Sequence, residues 1–278
     1  MKLNSSLKYL KKVATLKLRE TVPGIIMGTS GILLQLTYII LGLLTWFLIG
    51  RYYYAGVLEG YEVDYATFLV VGVILNNVLT SASSTGAKWA LLIYSNRYIR
   101  ILLSKSNPYA IEFLSYLFEE FKSIAYIIIQ LVVAALFFNI KLPPMEGIFP
   151  ALLVLALGIT NEIALSYLIN VLSVIYRKLR VQRGVIHNLI SFVSTILSST
   201  YYPLNTLPGE VLPLTCIFPK SVTIECVRLC FALNYNQLYL YLIILCVQGM
   251  ILIPLTFEMY KRAVKTAERE GLKYLMPV

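Results

Sequence analysis

Three ionisable residues stand where charge is expensive. Glu162 lies inside an otherwise uncharged run from Gly147 to Tyr176, and Glu225 and Arg228 follow a proline-broken apolar stretch. A carboxylate within such a run is by default a functional candidate, for a proton or a cation. The competing reading is a protonated or paired structural acid, held by Asn161 or by a residue from another span. Glu225 and Arg228 are three residues apart, so they can pair on one helix face near the outer boundary. Ser191, Ser194, Thr195, Ser198 and Ser199 form a hydroxyl stripe at helical spacing. Small hydroxyls can line a polar path, or let helices approach closely, including across a dimer. Asn76, Asn77, Thr80, Ser81 and Ser84 make a second polar set. His187 is the single histidine, too few for a metal site. Cys216, Cys226, Cys230 and Cys246 do not form a metal-ligand set either. A disulfide from Cys216 to Cys226 or Cys230 is chemically open on an oxidising side, and free thiols packed as small apolar residues are the expected state.

The elements that must carry these residues follow from composition. The chain has 278 residues, 58% hydrophobic and 14% charged, against about 25% charged in globular domains. Its mean hydropathy is +0.75. A soluble enzyme is disfavoured. Six runs are long enough to be read as spans of a hydrocarbon core, which takes about 20 apolar residues. They predict spans at about 24–50, 66–88, 122–140, 149–175, 186–202 and 236–258. Runs of this length without polar alternation exclude a membrane barrel, because backbone groups in lipid must be satisfied internally. The expected fold is therefore an all-α membrane protein with six transmembrane helices.

Lys and Arg in short loops resist translocation, so their distribution orients the bundle. Most of the 24 cationic residues fall before the first span, between the second and third, between the fourth and fifth, and after the last. Arg51, Lys141, Lys220 and Arg228 fall on the other side. Both termini are predicted to be cytoplasmic, in a multi-pass protein of the cell membrane. The net charge of +10 is thereby explained without a nucleic-acid partner. In segment 1–22, Leu3, Leu7, Leu10 and Ala14 recur at helical spacing with Lys8 and Lys12 opposite. That pattern predicts an amphipathic elbow helix in the inner interface, with Pro23 as the corner before the first span; a basic tail that only fixes topology is the alternative. The apolar run behind it is too long for a cleaved signal peptide.

The inner region 94–121 contains a helical stretch that stops at Pro108, with Arg97, Arg100 and Lys105 facing one way and Ile99, Leu102 and Leu103 another. It suits a cytoplasmic protein partner, or else anionic lipid. Between the fifth and last spans, Pro203, Pro208, Pro213 and Pro219 break a stretch too apolar for an ordinary loop. Short helices that enter the outer leaflet and return, over about 203–232, fit both properties. The cytoplasmic tail is placed at 261–278.

The series Tyr202-Pro203, Leu207-Pro208, Pro219, Glu225 and Arg228 resembles the signature before the last span of type-2 ABC transporter permeases. Residues Arg97 to Leu117 resemble that family's coupling region, and Ala267 to Leu272 its tail. The sequence departs from the family in having Arg97-Tyr98-Ile99-Arg100 in place of an acidic coupling motif, and Ser199 where glycine is usual. The resemblance implies a permease subunit of an exporter, working as a dimer with a second copy or a paralogue. A cytoplasmic ATP-binding cassette subunit, holding ATP and magnesium, would dock on Arg97, Tyr98, Arg100, Leu103 and Lys105. The chain itself is expected to bind no cofactor and to be no enzyme, since Ser84 to Lys88 has neither the spacing nor the setting of a phosphate-binding loop. Two other classes stand beside this one. An ion-gradient transporter usually shows interrupted spans in both halves. A membrane-embedded enzyme needs several catalytic groups at one depth, whereas Glu162 is alone in its run.

Overall fold

The architecture was taken from a computed structural model, which describes residues 29–53, 57–58, 61, 63–92, 124–140, 144–175 and 183–270. The expected elbow helix, the docking residues Arg97, Tyr98, Arg100, Leu103 and Lys105, and the last part of the tail lie outside the described residues.

The described chain is helical apart from one small hairpin. Helix α1 is Thr29–Tyr53, and strands β1 (Val57–Leu58) and β2 (Val63–Asp64) follow. The strands pair antiparallel, Val57 opposite Asp64 and Leu58 opposite Val63. Asp64 then starts α2 (Tyr65–Leu92), accepting from the Thr67 N–H at 3.4 Å and the Thr67 hydroxyl at 2.5 Å, a side-chain cap for otherwise orphaned donors. Helix α3 is Ile124–Phe138. Asn139, with φ of 52°, turns the chain out of it in the left-handed conformation that asparagine tolerates. Helix α4 is Met145–Ile175 and α5 is Arg183–Ile196. A broken stretch comes next, with a 3-10 turn at Leu204–Thr206, the single turn α6 (Leu212–Thr215) and α7 (Pro219–Phe231). Helix α8, Tyr235–Glu270, closes the described chain.

Three of these helices are long and apolar enough to cross a membrane: Tyr65–Ala90, Met145–Leu172 and Tyr235–Thr266. They mark the chain as an all-α membrane protein. Thr37–Tyr52, Ile124–Phe138 and Val185–Ile196 are shorter apolar helices.

Helix α7 is the innermost element. It packs against α4, α8, α2 and α5, and every residue from Pro219 to Cys230 is buried. Helix α8 is its opposite, presenting Tyr239, Ile243, Met250 and Ile251 outward. Apolar side chains outside and polar ones inside suit a bundle whose solvent is hydrocarbon. Close approach to α7 needs glycine on the facing helices. A Cβ on Gly158 of α4 would stand 2.2 Å from Thr223 Oγ1.

Two boundaries differ from the sequence-based expectation. Helix α5 stops at Ile196 rather than continuing to about 202, and nearby groups take the carbonyls of its last turn: Leu197 N–H donates to Val193 O at 2.9 Å, Ser198 Oγ to Thr195 O at 2.7 Å, and the Tyr202 hydroxyl to Ile196 O. Ser221 Oγ donates to Leu197 O at 3.2 Å, and Arg228 donates to the carbonyls of Ser199 and Thr200. A helix end can lie inside protein when its orphan carbonyls are met in this way. The last helix continues past 258 to Glu270 without a break. Its basic residues are held on the helix surface, with Arg262 Nε 3.2 Å from Glu258 Oε1 and Lys261 Nζ 4.8 Å from the centre of the Phe257 ring.

Candidate functional site

The polar residues of α7 build two clusters. The first surrounds Arg228, in the last turn of the helix. Its Nη1 donates to Ser199 O, and its Nη2 donates to Phe68 O at 2.7 Å and Thr200 O at 2.9 Å. The guanidinium carbon lies 3.5 Å from the centre of the Phe68 ring, a desolvated cation–π contact. Only glycine fits beneath it. A Cβ at residue 72 would stand 1.9 Å from Arg228 Nη2 and 2.4 Å from Thr200 O. Glu225, less than one turn earlier, accepts from the Tyr61 hydroxyl in the connection between α1 and α2. Burial and the Glu225 carboxylate push the Tyr61 hydroxyl well above its ordinary value, so it remains an O–H donor.

Glu225 and Arg228 therefore do not form the direct pair expected from their spacing; no ion pair joins them among the described residues. Three backbone carbonyls offer the planar guanidinium a better fit than one carboxylate on its own helix, and the carboxylate has turned to Tyr61 instead. Arg228 is thus a clamp that ties the broken stretch after α5 to α2.

The second cluster surrounds Lys220, in the first turn of α7, which is fully buried. Its Nζ donates to Thr80 Oγ1 at 3.1 Å and Thr195 Oγ1 at 3.2 Å, joining α7 to α2 and α5. Glu162 on α4 is close enough to interact with its charge, although no ion pair is formed. Asn161 is not the partner of Glu162, because its Nδ2 donates to Leu245 O on α8 at 2.9 Å. Beside Glu162 lies a cavity of about 10 Å³, lined on its polar side by Ser83, Glu162, Ser166, His187, Ser191 and Ser194. One carboxylate oxygen of Glu162 and the Ser194 hydroxyl are buried there without a hydrogen-bond partner. His187 Nδ1 is 3.2 Å from Asn170 Nδ2, and that amide also donates to Ser166 O at 2.8 Å.

The predicted hydroxyl stripe is divided by the end of α5, with Ser191, Ser194 and Thr195 on the helix and Ser198 and Ser199 beyond it, and both parts meet these clusters. Thr195 accepts from Lys220, Ser198 Oγ donates to Thr195 O at 2.7 Å, and Ser199 Oγ donates to Ser221 O at 3.3 Å. Among the prolines, Pro219 is buried as the first residue of α7 and Pro203 is buried ahead of the 3-10 turn. Leu207 is half-buried, and Pro208 is exposed with its carbonyl accepting from Val211 N–H at 2.9 Å. Ser84 to Lys88 lies within α2. All four cysteines are free thiols, so the disulfide alternative is not realised. Among the described residues no group of His, Cys, Asp or Glu is arranged to hold a metal.

Sequence reasoning missed Lys220, Tyr61 and Gly72. The sequence groups Lys220 with the outer-side cations because it lies between the fifth and last predicted spans. One signal was available: Lys220, Glu225 and Arg228 are ionisable residues on a single short helix bounded by apolar runs. Tyr61 gave no signal.

No family model matches this chain, and no curated protein matches it.

Proposed function

We propose that this chain is the membrane permease subunit of an ATP-driven exporter of the type-2 ABC class. In this reading it has six spans, α1 to α5 and α8, with both termini cytoplasmic, and 197–232 is an outer re-entrant segment around α7. The chain works as a dimer with a second permease copy or a paralogue, and its motion is driven by separate cytoplasmic ATPase subunits that carry ATP and magnesium. The observation that carries the reading is the interrupted segment between α5 and α8, whose polar helix is the most buried element of the bundle. Lys220 and Arg228 point into protein, which removes two cations from the outer side and sharpens the charge asymmetry behind the orientation.

The same contacts support force transmission. The inner end of α2 leads to the docking region around Arg97, and α2 is joined to α7 through Phe68–Arg228 and Thr80–Lys220. Lys220 and Arg228 are joined in turn to α5 and the break after it. A displacement imposed at the inner face when two ATPase subunits close would be passed along α2 into the centre of the bundle. Ser191, Ser194 and Thr195 on α5, with Ser198 just beyond its end, are then the hydroxyls whose position changes.

Affinity purification from native membranes, followed by identification of nucleotide-binding proteins, tests the reading directly. Co-purification of an ATP-binding cassette subunit supports it; its absence under conditions that keep the permease dimer intact counts against it. A variant replacing Arg97, Arg100 and Leu103 with alanine should still insert, but retain at least about tenfold less ATPase subunit, since interface anchors of this kind contribute most of the binding energy.

The buried Glu162 and Lys220 favour a second reading, an ion-gradient-driven transporter. Reconstitution of the chain alone separates the two. Transport driven by an imposed ion gradient without any ATPase would establish the second and remove the first.

A further inference from the structure

We propose that Glu162 is an internal proton-binding site, served by a single water in the cavity between α4, α5 and α2 and opening toward the inner face past His187. The cavity volume of about 10 Å³ matches one water. Such a water needs two to four polar partners. Glu162 and Ser194 each bring an unmet buried oxygen, and His187, Ser191 and Ser83 complete the polar wall. Its occupant is water rather than a metal cation, because the Lys220 ammonium already interacts with the carboxylate from the α7 side.

The groups facing Glu162 make its proton the variable. Helix α7 presents Lys220, α5 presents His187, α2 presents the Ser83 hydroxyl, and α8 presents the Leu245 carbonyl to the neighbouring Asn161. A proton on Glu162 removes a buried negative charge but leaves Lys220 unopposed. Its loss restores the opposed charges but leaves a carboxylate oxygen whose partner must be the cavity water. Proton uptake is a relay in which the cavity water gives one proton to the carboxylate oxygen and takes another from bulk water past His187, so that the water itself stays neutral; release runs in reverse. His187 is a positioning residue. The Asn170 amide, which already donates to Ser166 O, gives its second N–H to His187 Nδ1 and so assigns the ring proton to Nε2. His187 is half-buried four residues after Arg183, at the end of α5 that the cation distribution places inside. The site does not depend on an ATPase partner.

Difference infrared spectroscopy of the full chain in lipid nanodiscs, across pH and in heavy water, tests the site. A protonated-carboxyl stretch that titrates and disappears in Glu162→Gln is expected. His187→Leu, which fills the wall with an apolar side chain, should slow deuterium exchange of that carboxyl by about tenfold or more, while His187→Gln keeps it fast. A titrating band that survives Glu162→Gln, or exchange unaffected by His187→Leu, overturns the proposal. Should Glu162→Gln fail to fold, carbodiimide labelling of the wild-type chain replaces it. A Glu162 adduct that fades as pH rises is expected, and a Glu162 unlabelled at every pH overturns the site.

Discussion

Arg228→Ala is expected to cost about 3–5 kcal/mol, the usual penalty for removing one member of a buried, hydrogen-bonded charge cluster. The carbonyls of Ser199, Thr200 and Phe68 lose their donor together, the face of Phe68 loses its cation, and Glu225 loses the nearest opposing charge. Against a total stability of about 5–15 kcal/mol, that loss is a large fraction of what holds the fold together. Arg228→Lys keeps the charge but lacks the planar fork, so it should recover only part of it. Glu225→Gln, added to Arg228→Ala, should cost less than the sum of the single changes, because the carboxylate left unopposed is then gone. Thermal unfolding in detergent reads all of these. Limited proteolysis adds a local readout: the stretch 197–206 should become the first cleavage site in Arg228→Ala. Melting of Arg228→Ala indistinguishable from wild type would refute the clamp.

Gly158→Val should also be strongly destabilising, and for a reason that involves no charge. Here α4 and α7 approach so closely that a Cβ would lie 2.2 Å from Thr223 Oγ1 and 2.7 Å from Thr223 Cβ. Replacing a helical glycine removes a propensity penalty of about 1 kcal/mol. Overpacking costs about 1–3 kcal/mol, and sometimes more where backbones must separate. For Gly158→Ala the two effects partly cancel and a modest loss is expected; for Gly158→Val the extra branched carbons make overpacking dominate. Thr223→Ala removes the two nearest side-chain atoms but leaves its own Cβ, so it should rescue part of the Gly158→Val defect. A double-mutant cycle by thermal unfolding checks this. Strictly additive effects would show that the two residues do not meet.

Each of these effects depends on α7 being at the centre of the bundle, and the sequence announced that helix only in outline. Pro219 marked its start, and Glu225 and Arg228 marked it as polar, yet their spacing suggested a mutual pair on an outer helix. The pairing was decided by distant backbone. Phe68, whose carbonyl receives Arg228, is 160 residues away, and Tyr61, which binds Glu225, is 164 residues from it. Likewise the fifth helix reads as apolar and helical to about residue 202. It ends at Ile196, where the Ser198 and Tyr202 hydroxyls take carbonyls of the last turn and donors on α7 take those of Leu197, Ser199 and Thr200 just beyond it.

The positions of the long apolar helices, the break before the last of them and the cost of a lone acid at Glu162 were determined by the sequence alone. Lipid offers no hydrogen bonds, so length, hydropathy and proline act locally and can be read locally. The destination of each buried charge was decided only by the tertiary structure. Lys220 meets Thr80 and Thr195, Arg228 meets freed carbonyls, and Glu162 meets a cavity for one water. A buried polar group must find whichever partners packing brings to it, and those partners lie on other helices at separations no sequence period encodes.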